Sequence, residues 1–297
     1  MEGINKVMAH LWFDKEAVEA GEFYLKVFKN SKLLNKTKIP GTPSGDVGSV
    51  TLAIEDLNLM MISAGPYFTV NPSVSFMVSC TSKEEVKHYW DAFIEGGKAM
   101  MPLDTYPFSE LYGWVEDKFG VSWQLMHVED ESFGVKIRPS LMFVGDNCGR
   151  AEEAMNYYTE VFRNAEIKTV SRYGDGFPPN KPDMLNFAEF VLEGQSFSIM
   201  DSAYDHEFNF SEGVSFIVNC DTQEEIDYYW ETLSADPSAE QCGWLKDKFG
   251  VSWQIVPTIM NDMMAEVDPE VLGRVTKAFL QMKKFDLDQL EKSYRGT

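Results

Sequence analysis

The chain has 297 residues, of which 44% are hydrophobic and 25% are charged, and its formal net charge is −21. These values are typical of a soluble globular protein with room for two domains, and nucleic acid and anionic membranes are not expected partners because the negative charge would repel both. The sequence has no apolar run of membrane-spanning length, no signal-peptide pattern and no CxxC pair among its four cysteines. A reducing, cytoplasmic location is therefore expected.

Residues 1–127 predict two βαβββ units in series. An aromatic-rich strand at Val7–Phe13 is followed by helical spacing of apolar residues from Lys15 to Phe28. The second unit starts with a strand at Val74–Cys80, and a capping box at Ser82–Glu85 opens its helix. The other strands of the two units are predicted at Lys32–Ile39, Val47–Ile54, Leu57–Ser63, Ala99–Leu103, Leu111–Glu116 and Val121–His127, with a loop at residues 40–45.

The second half of the chain repeats the first. Gly113–Gln124 and Gly243–Gln254 share ten of twelve residues at an offset of 130, and each reads as a β-hairpin with a turn ending at glycine. Between helix and hairpin the second copy is ten residues shorter, which indicates a trimmed loop or strand. The predicted boundaries are a first domain at 1–127, a linker at 128–136 and a second domain at 137–257.

Residues 258–297 have no counterpart in the first half and predict a helical extension. Asp268 followed by Pro269 is a typical helix start, and Asp286 opens a second short helix. Packing of these helices on a domain is favoured over packing on a partner.

The tandem βαβββ units and the closing motif Asp-x-x-Gly-x-x-Trp resemble the vicinal oxygen chelate superfamily, which includes glyoxalase, bleomycin-resistance and dioxygenase proteins. More narrowly, Cys242–Gln254, the helix Arg150–Phe162 and the segment Phe279–Lys284 resemble its PhnB-like branch, also labelled 3-demethylubiquinone 3-methyltransferase-like. The resemblance implies an α+β fold in which tandem units form two incomplete mixed-sheet barrels with helices outside, followed here by a C-terminal helical tail. It covers nearly the whole chain and is specific for family rather than for activity.

Metal-dependent members of the superfamily carry His or Glu ligands on the first and last strands of their units. Transferred to this sequence, the resemblance implies one set at His10, Ser75 and Gln124 and another at Ser140, Ser215 and Gln254. The remaining ligand position falls near 60–63 and 198–200, where the sequence has no His or Glu. Because a divalent ion needs several carboxylates or imidazoles, we expect metal-free pockets and predict no cofactor.

The candidate pocket residues each have two readings. Gln124 and Gln254 contact either a ligand or a polar group of a neighbouring strand. His10 is more often a satisfied interior histidine than a base, and Cys242 more often an inert thiol than a reactive one. Trp12, Trp114 and Trp244 stack a ligand or belong to the core, whereas Trp123 and Trp253 are predicted on the helix-packed face.

Three functions remain open. The favoured one is metal-independent binding of an unidentified small molecule in the barrel pockets. The alternatives are a metal-dependent lyase, isomerase or dioxygenase-type enzyme, and an interaction module with pseudo-dimeric architecture. A methyltransferase is not favoured because no glycine-rich nucleotide loop is present. The chain is expected to be a monomer with pseudo-dimeric domains or a homodimer.

Overall fold

The computed structural model describes residues 4–129, 136–264 and 268–297. Most of the predicted linker, residues 130–135, lies outside these ranges. The strands are β1 Val7–Phe13, β2 Ser31–Thr42, β3 Gly45–Ile54, β4 Leu57–Ser63, β5 Val74–Cys80, β6 Lys98–Tyr106, β7 Ser109–Glu116, β8 Ser122–His127, β9 Ile137–Phe143, β10 Ala165–Arg172, β11 Leu185–Leu192, β12 Gln195–Asp201, β13 Val214–Cys220, β14 Trp244–Lys246 and β15 Ser252–Pro257. The α-helices are α1 Ala17–Val27, α2 Lys83–Ile94, α3 Ala151–Val161, α4 Gln223–Leu233, α5 Ile259–Met264, α6 Pro269–Phe279 and α7 Leu287–Arg295.

The strands form two mixed sheets, and each sheet takes strands from both halves of the chain. Sheet A has the order β14-β15-β13-β1-β4-β3-β2, and sheet B has the order β10-β11-β12-β9-β5-β8-β7-β6. The halves join where β1 pairs antiparallel with β13 and where β5 pairs antiparallel with β9. The α+β fold of two mixed sheets is therefore confirmed, but the halves exchange units, so that neither sheet belongs to one half alone.

Helices cover one face of each sheet. Gly21 brings α1 so close to sheet A that an added Cβ would lie 2.7 Å from Val50 Cγ1. On sheet B the ring of Phe93 from α2 stacks on Trp123 at 4.8 Å between centroids. Burial of these apolar faces supplies the main stabilising term of the fold, because it removes a continuous aliphatic and aromatic surface from water.

The repeated hairpin has a structural explanation in its aspartate. Asp117 accepts hydrogen bonds from Tyr24 Oη (2.8 Å), Trp123 Nε1 (2.9 Å) and the backbone N–H groups of Phe119 and Val121. Asp247 accepts the same four bonds from its own counterparts, Tyr158, Trp253, Phe249 and Val251. Burial raises the pKa of both carboxyls, while the hydrogen bonds oppose the rise. The tyrosine lies on the first helix of each half, so these bonds tie the two units of a half together.

The fourth unit lacks one strand, as its shorter sequence suggested. No described strand lies between α4 and β14, where β6 lies in the second unit. The predicted loop at residues 40–45 is wrong in extent, because β2 continues to Thr42 and β3 begins at Gly45.

The two helix starts predicted in the extension are confirmed. The side chain of Asp268 accepts a hydrogen bond from Glu270 N, and that of Asp286 accepts one from Gln289 N. The preceding helix α5 was not predicted. None of the helices described is long and apolar enough to span a membrane.

Candidate functional site

Each sheet has an inner face, defined as the face turned away from α1, α2, α3 and α4. On sheet A, alternation places Leu11 and Trp253 toward the helices and His10 and Gln254 on the inner face. The pairing registers bring three inner-face residues side by side in each sheet, and a hydrogen bond to the serine adds a glutamine from the next strand. We call them site A (His10, Met60, Ser215, Gln254) and site B (Ser140, Ser198, Ser75, Gln124).

These groupings correct the sets expected from the sequence. His10 pairs with Ser215, and Ser75 pairs with Ser140, so each site takes residues from both halves. The expected sets joined His10 to Ser75 and Ser140 to Ser215, which lie in different sheets. The error arose from assuming that each half closes its own barrel.

Site A contains a hydrogen-bonded row. Gln254 Nε2 donates to Ser215 Oγ at 3.0 Å, and Ser215 Oγ lies 3.3 Å from His10 Nδ1. Burial lowers the pKa of His10 from 6.5 to about 3, so the ring is neutral. Ser215 Oγ has both a proton and a second lone pair to offer Nδ1, so the neutral ring can bond to it in either tautomer, and Nε2 is a donor in one tautomer and an acceptor in the other.

Site B contains a similar row without a histidine. Tyr112 Oη donates to Gln124 Oε1 at 2.7 Å, and Gln124 Nε2 donates to Ser75 Oγ at 2.7 Å. The amide of Gln124 is thus bonded at both ends, whereas Gln254 Oε1 accepts no hydrogen bond from the described residues. Both glutamines pair with a serine of a neighbouring strand. Ser198 is fully buried, and its hydroxyl has no hydrogen-bond partner in the described parts of the chain.

The two sites differ in the aromatic residues beside them. In sheet A the ring of Trp244 meets His10 edge-on at 5.4 Å and Trp12 at 6.0 Å. In sheet B the equivalent Trp114 instead donates from Nε1 to Ser122 Oγ at 2.6 Å. Trp114 belongs to a methionine–aromatic cluster that the sequence reasoning missed. Its members are Tyr112, Trp114, Met142 and Val144, with partly buried Met100, Met101, Tyr106, Met126, Met200 and Phe208.

The donors of neither site fit a divalent metal. Site A offers one imidazole with a thioether, a hydroxyl and an amide, and site B offers three hydroxyls and an amide. Divalent ions in proteins are held by converging carboxylates, imidazoles or thiolates. Across the residues that the structure describes, no three His, Cys, Asp or Glu side chains are grouped so as to hold a metal ion.

Cys242 lies outside the hydrogen-bonded row of site A. It sits in the turn before β14, where Gln241 Nε2 lies 3.4 Å from its sulfur, and burial raises the pKa of its thiol.

Two surface clefts lie elsewhere: one of about 540 Å³ beside Cys148 and Asp201, and one of about 860 Å³ between α4 and the C-terminal helices. Neither is lined by the predicted pocket residues. Chain packing covers the inner faces, where Gln124 is 5% and Gln254 is 8% exposed.

Two mixed sheets built from tandem units define a two-unit glyoxalase-like fold. Glyoxalase I from Zea mays shares this fold: the match has 11% identity, a TM-score of 0.54, and covers 88% of this chain and 97% of that one. A family model described as 3-demethylubiquinone-9 3-methyltransferase matches residues 5–126 and again 135–256, so the chain belongs to that PhnB-like family.

A PhnB protein from Bacillus cereus, which carries the same methyltransferase label, is 30% identical over 41% of this chain and 98% of its own length, with a TM-score of 0.38. No curated protein matches the chain.

Proposed function

We propose that site B binds a small, largely apolar molecule that carries a hydrogen-bonding group, through neutral side chains and without a metal ion. The observation that carries the proposal is the Ser198 hydroxyl, which is buried without a hydrogen-bond partner beside Ser140 and the methionine–aromatic cluster.

A buried hydroxyl without a partner costs roughly 1–3 kcal/mol, since it has lost its hydrogen bonds to water. A polar atom of a ligand next to Ser198 would restore that bond. The Ser140 hydroxyl on the neighbouring strand also makes no hydrogen bond to the described residues, so the two hydroxyls together can serve one donor or acceptor.

The surroundings of these hydroxyls favour an apolar, flat molecule. Five of the ten cluster members are methionines, whose unbranched thioether side chains repack around ligands of different shape. Tyr112 and Trp114 add flat faces for stacking. A ligand enters by displacing methionine side chains, which is consistent with inner faces covered by the chain's own packing.

Binding of a neutral fluorophore, N-phenyl-1-naphthylamine, tests the proposal. Its rings suit the cluster and its N–H can donate to Ser198. We expect saturable fluorescence enhancement and a raised melting temperature. Met200→Glu, which places a charge in the cluster, should weaken binding at least tenfold.

Ile62→Glu is the matched control, because Ile62 occupies the equivalent position in sheet A and is likewise half-buried. It should leave the affinity within about twofold of wild type. Equal losses in both variants, or no saturable binding by the wild type, would contradict the proposal.

A further inference from the structure

The C-terminal segment, which comprises the described residues from 258 onward, occupies one edge of sheet A through residues 280–283. In sheet B the strand β6 pairs with β7, but the equivalent of β7 in sheet A, β14, has no such neighbour. The C-terminal segment takes that place: Cys242 N donates to Met282 O at 2.8 Å, and Gly243 N donates to Lys283 O at 2.7 Å. Gln241 Nε2 adds a bond to Leu280 O at 2.8 Å.

The same segment reaches the opposite edge of sheet A. Helix α6 packs against β2, where Asn35 and Thr37 are half-buried. Their equivalents on the edge of sheet B, Thr169 and Ser171 in β10, are exposed. Asn35 and Thr37 pair with inner-face residues of β3, and Thr169 and Ser171 pair with inner-face residues of β11. The extension therefore shields one inner-face edge in sheet A that stays open in sheet B.

Apolar packing holds the segment between these two edges. Its buried cluster contains Met260, Met263, Val275, Phe285 and Leu290. Val256 packs against this cluster, and it lies on the inner face two residues beyond Gln254 in β15. The cluster thus continues from the inner face of sheet A, next to site A, onto the extension.

We infer that residues 258–264 and 268–297 form a lid that closes site A, whereas the described chain places no such segment on the matching edges of sheet B. His10 is 1% exposed in the folded chain, and its Nε2 makes no hydrogen bond to the described residues. Opening the lid uncovers His10 Nε2 together with Gln254 Oε1, two polar atoms beside Trp244. Site A is then a second, lid-gated site, and its use by a ligand rests on the function proposed for site B.

Chemical modification of His10 tests the lid without any ligand. Diethylpyrocarbonate modifies neutral imidazoles, and peptide mass mapping separates His10 from His206, which is only half-buried. In the folded wild type, His10 should react far more slowly than His206. The double substitution Phe285→Glu and Leu290→Glu should release the lid and speed modification of His10 at least tenfold, with His206 unchanged.

Gln281→Glu is the control, since Gln281 lies in the lid with an exposed side chain. Hydrogen exchange of the Cys242 and Gly243 amides reports whether the lid has opened, because both donate to the lid. Fast exchange of these amides with His10 still protected overturns the inference.

The wild type supplies a second measurement if the double variant does not fold. Modification of His10 must then be no faster than exchange of the Cys242 and Gly243 amides, and faster modification overturns the lid.

With the lid released, the number of N-phenyl-1-naphthylamine molecules bound per chain should rise from one to two. If His10 becomes reactive and this number stays at one, the lid is supported and ligand binding in site A is refuted.

Discussion

His10 should make the stability of the protein depend on pH in a way that one substitution removes. Burial lowers its pKa from 6.5 to about 3, so the folded protein binds no proton there at pH 5. In the unfolded chain the imidazole does bind a proton at that pH. Stability contributed by the neutral ring is thus fully present above pH 6.5 and is lost as the pH falls below it.

The size of the effect follows from the two pKa values. Between pH 7 and pH 5 the unfolded state gains about 0.7 of a proton at His10 and the folded state gains almost none. Linkage then lowers the free energy of unfolding by about 2 kcal/mol over this interval. His10→Asn keeps an acceptor near Ser215 Oγ but cannot titrate, so its stability should fall about 2 kcal/mol less than that of the wild type.

Urea unfolding at pH 7 and pH 5 measures this difference. The other ionisable groups, including His206, whose pKa burial also lowers, are present in both proteins and cancel in the comparison. Met60→Leu is the control, since it perturbs a neighbour of His10 and should retain the wild-type pH dependence. A wild type and His10→Asn variant that lose equal stability between pH 7 and pH 5 would refute a neutral, buried His10.

Two further sets of substitutions test the polar interior. Asp117→Asn puts an amide donor among four donors and should lower the free energy of unfolding by about 2–4 kcal/mol in urea titrations. Asp247→Asn should have the same effect. Losses below about 1 kcal/mol would show that the four-bond network is not essential. Ser198→Ala removes an unbonded buried hydroxyl and should raise the melting temperature while weakening probe binding, whereas Ser75→Ala leaves the amide of Gln124 without its acceptor and should lower stability by about 1–2 kcal/mol. Destabilisation by Ser198→Ala would indicate that this hydroxyl has a partner.

Local patterns in the sequence predicted most elements of the fold. Val7–Phe13 and Val74–Cys80 form strands at the predicted bounds, and the helix caps at Ser82, Asp268 and Asp286 are present. These features depend on neighbours within a few residues, which the sequence displays directly. The loop at residues 40–45 was misjudged because proline and glycine there sit at the ends of a long two-stranded ribbon.

The assignment of units to sheets could not be read from the sequence. In the structure β1 pairs with β13. Strand β5 carries nearly the same residues as β13, including serine and phenylalanine at the same places. Duplication makes both partners chemically suitable for β1. Which pairing occurs depends on how the whole chain packs, and local periodicity does not contain that information.

The role of the hairpin residues was also only partly predictable. Gly120 adopts φ +84°, as its place in the turn required. The repetition of Trp123 and Asp117, however, is explained by a hydrogen bond of 2.9 Å between them and by Tyr24 from a distant helix. A buried carboxyl next to a glycine turn looks like an ordinary turn aspartate until its long-range partners are known.

Fusion of the two halves into one chain permits a difference that a symmetric homodimer cannot have. In a twofold dimer of one half, both sites would contain the same residues, since each would take equivalent strands from the two copies. Here one site has His10 and Met60 where the other has Ser140 and Ser198, and one sheet has gained a lid in place of a strand. The tandem arrangement keeps the exchanged pairing of units while it frees the two inner faces to diverge. We therefore expect substitutions at His10 and at Ser198 to affect different properties, pH-dependent stability in the first case and ligand affinity in the second.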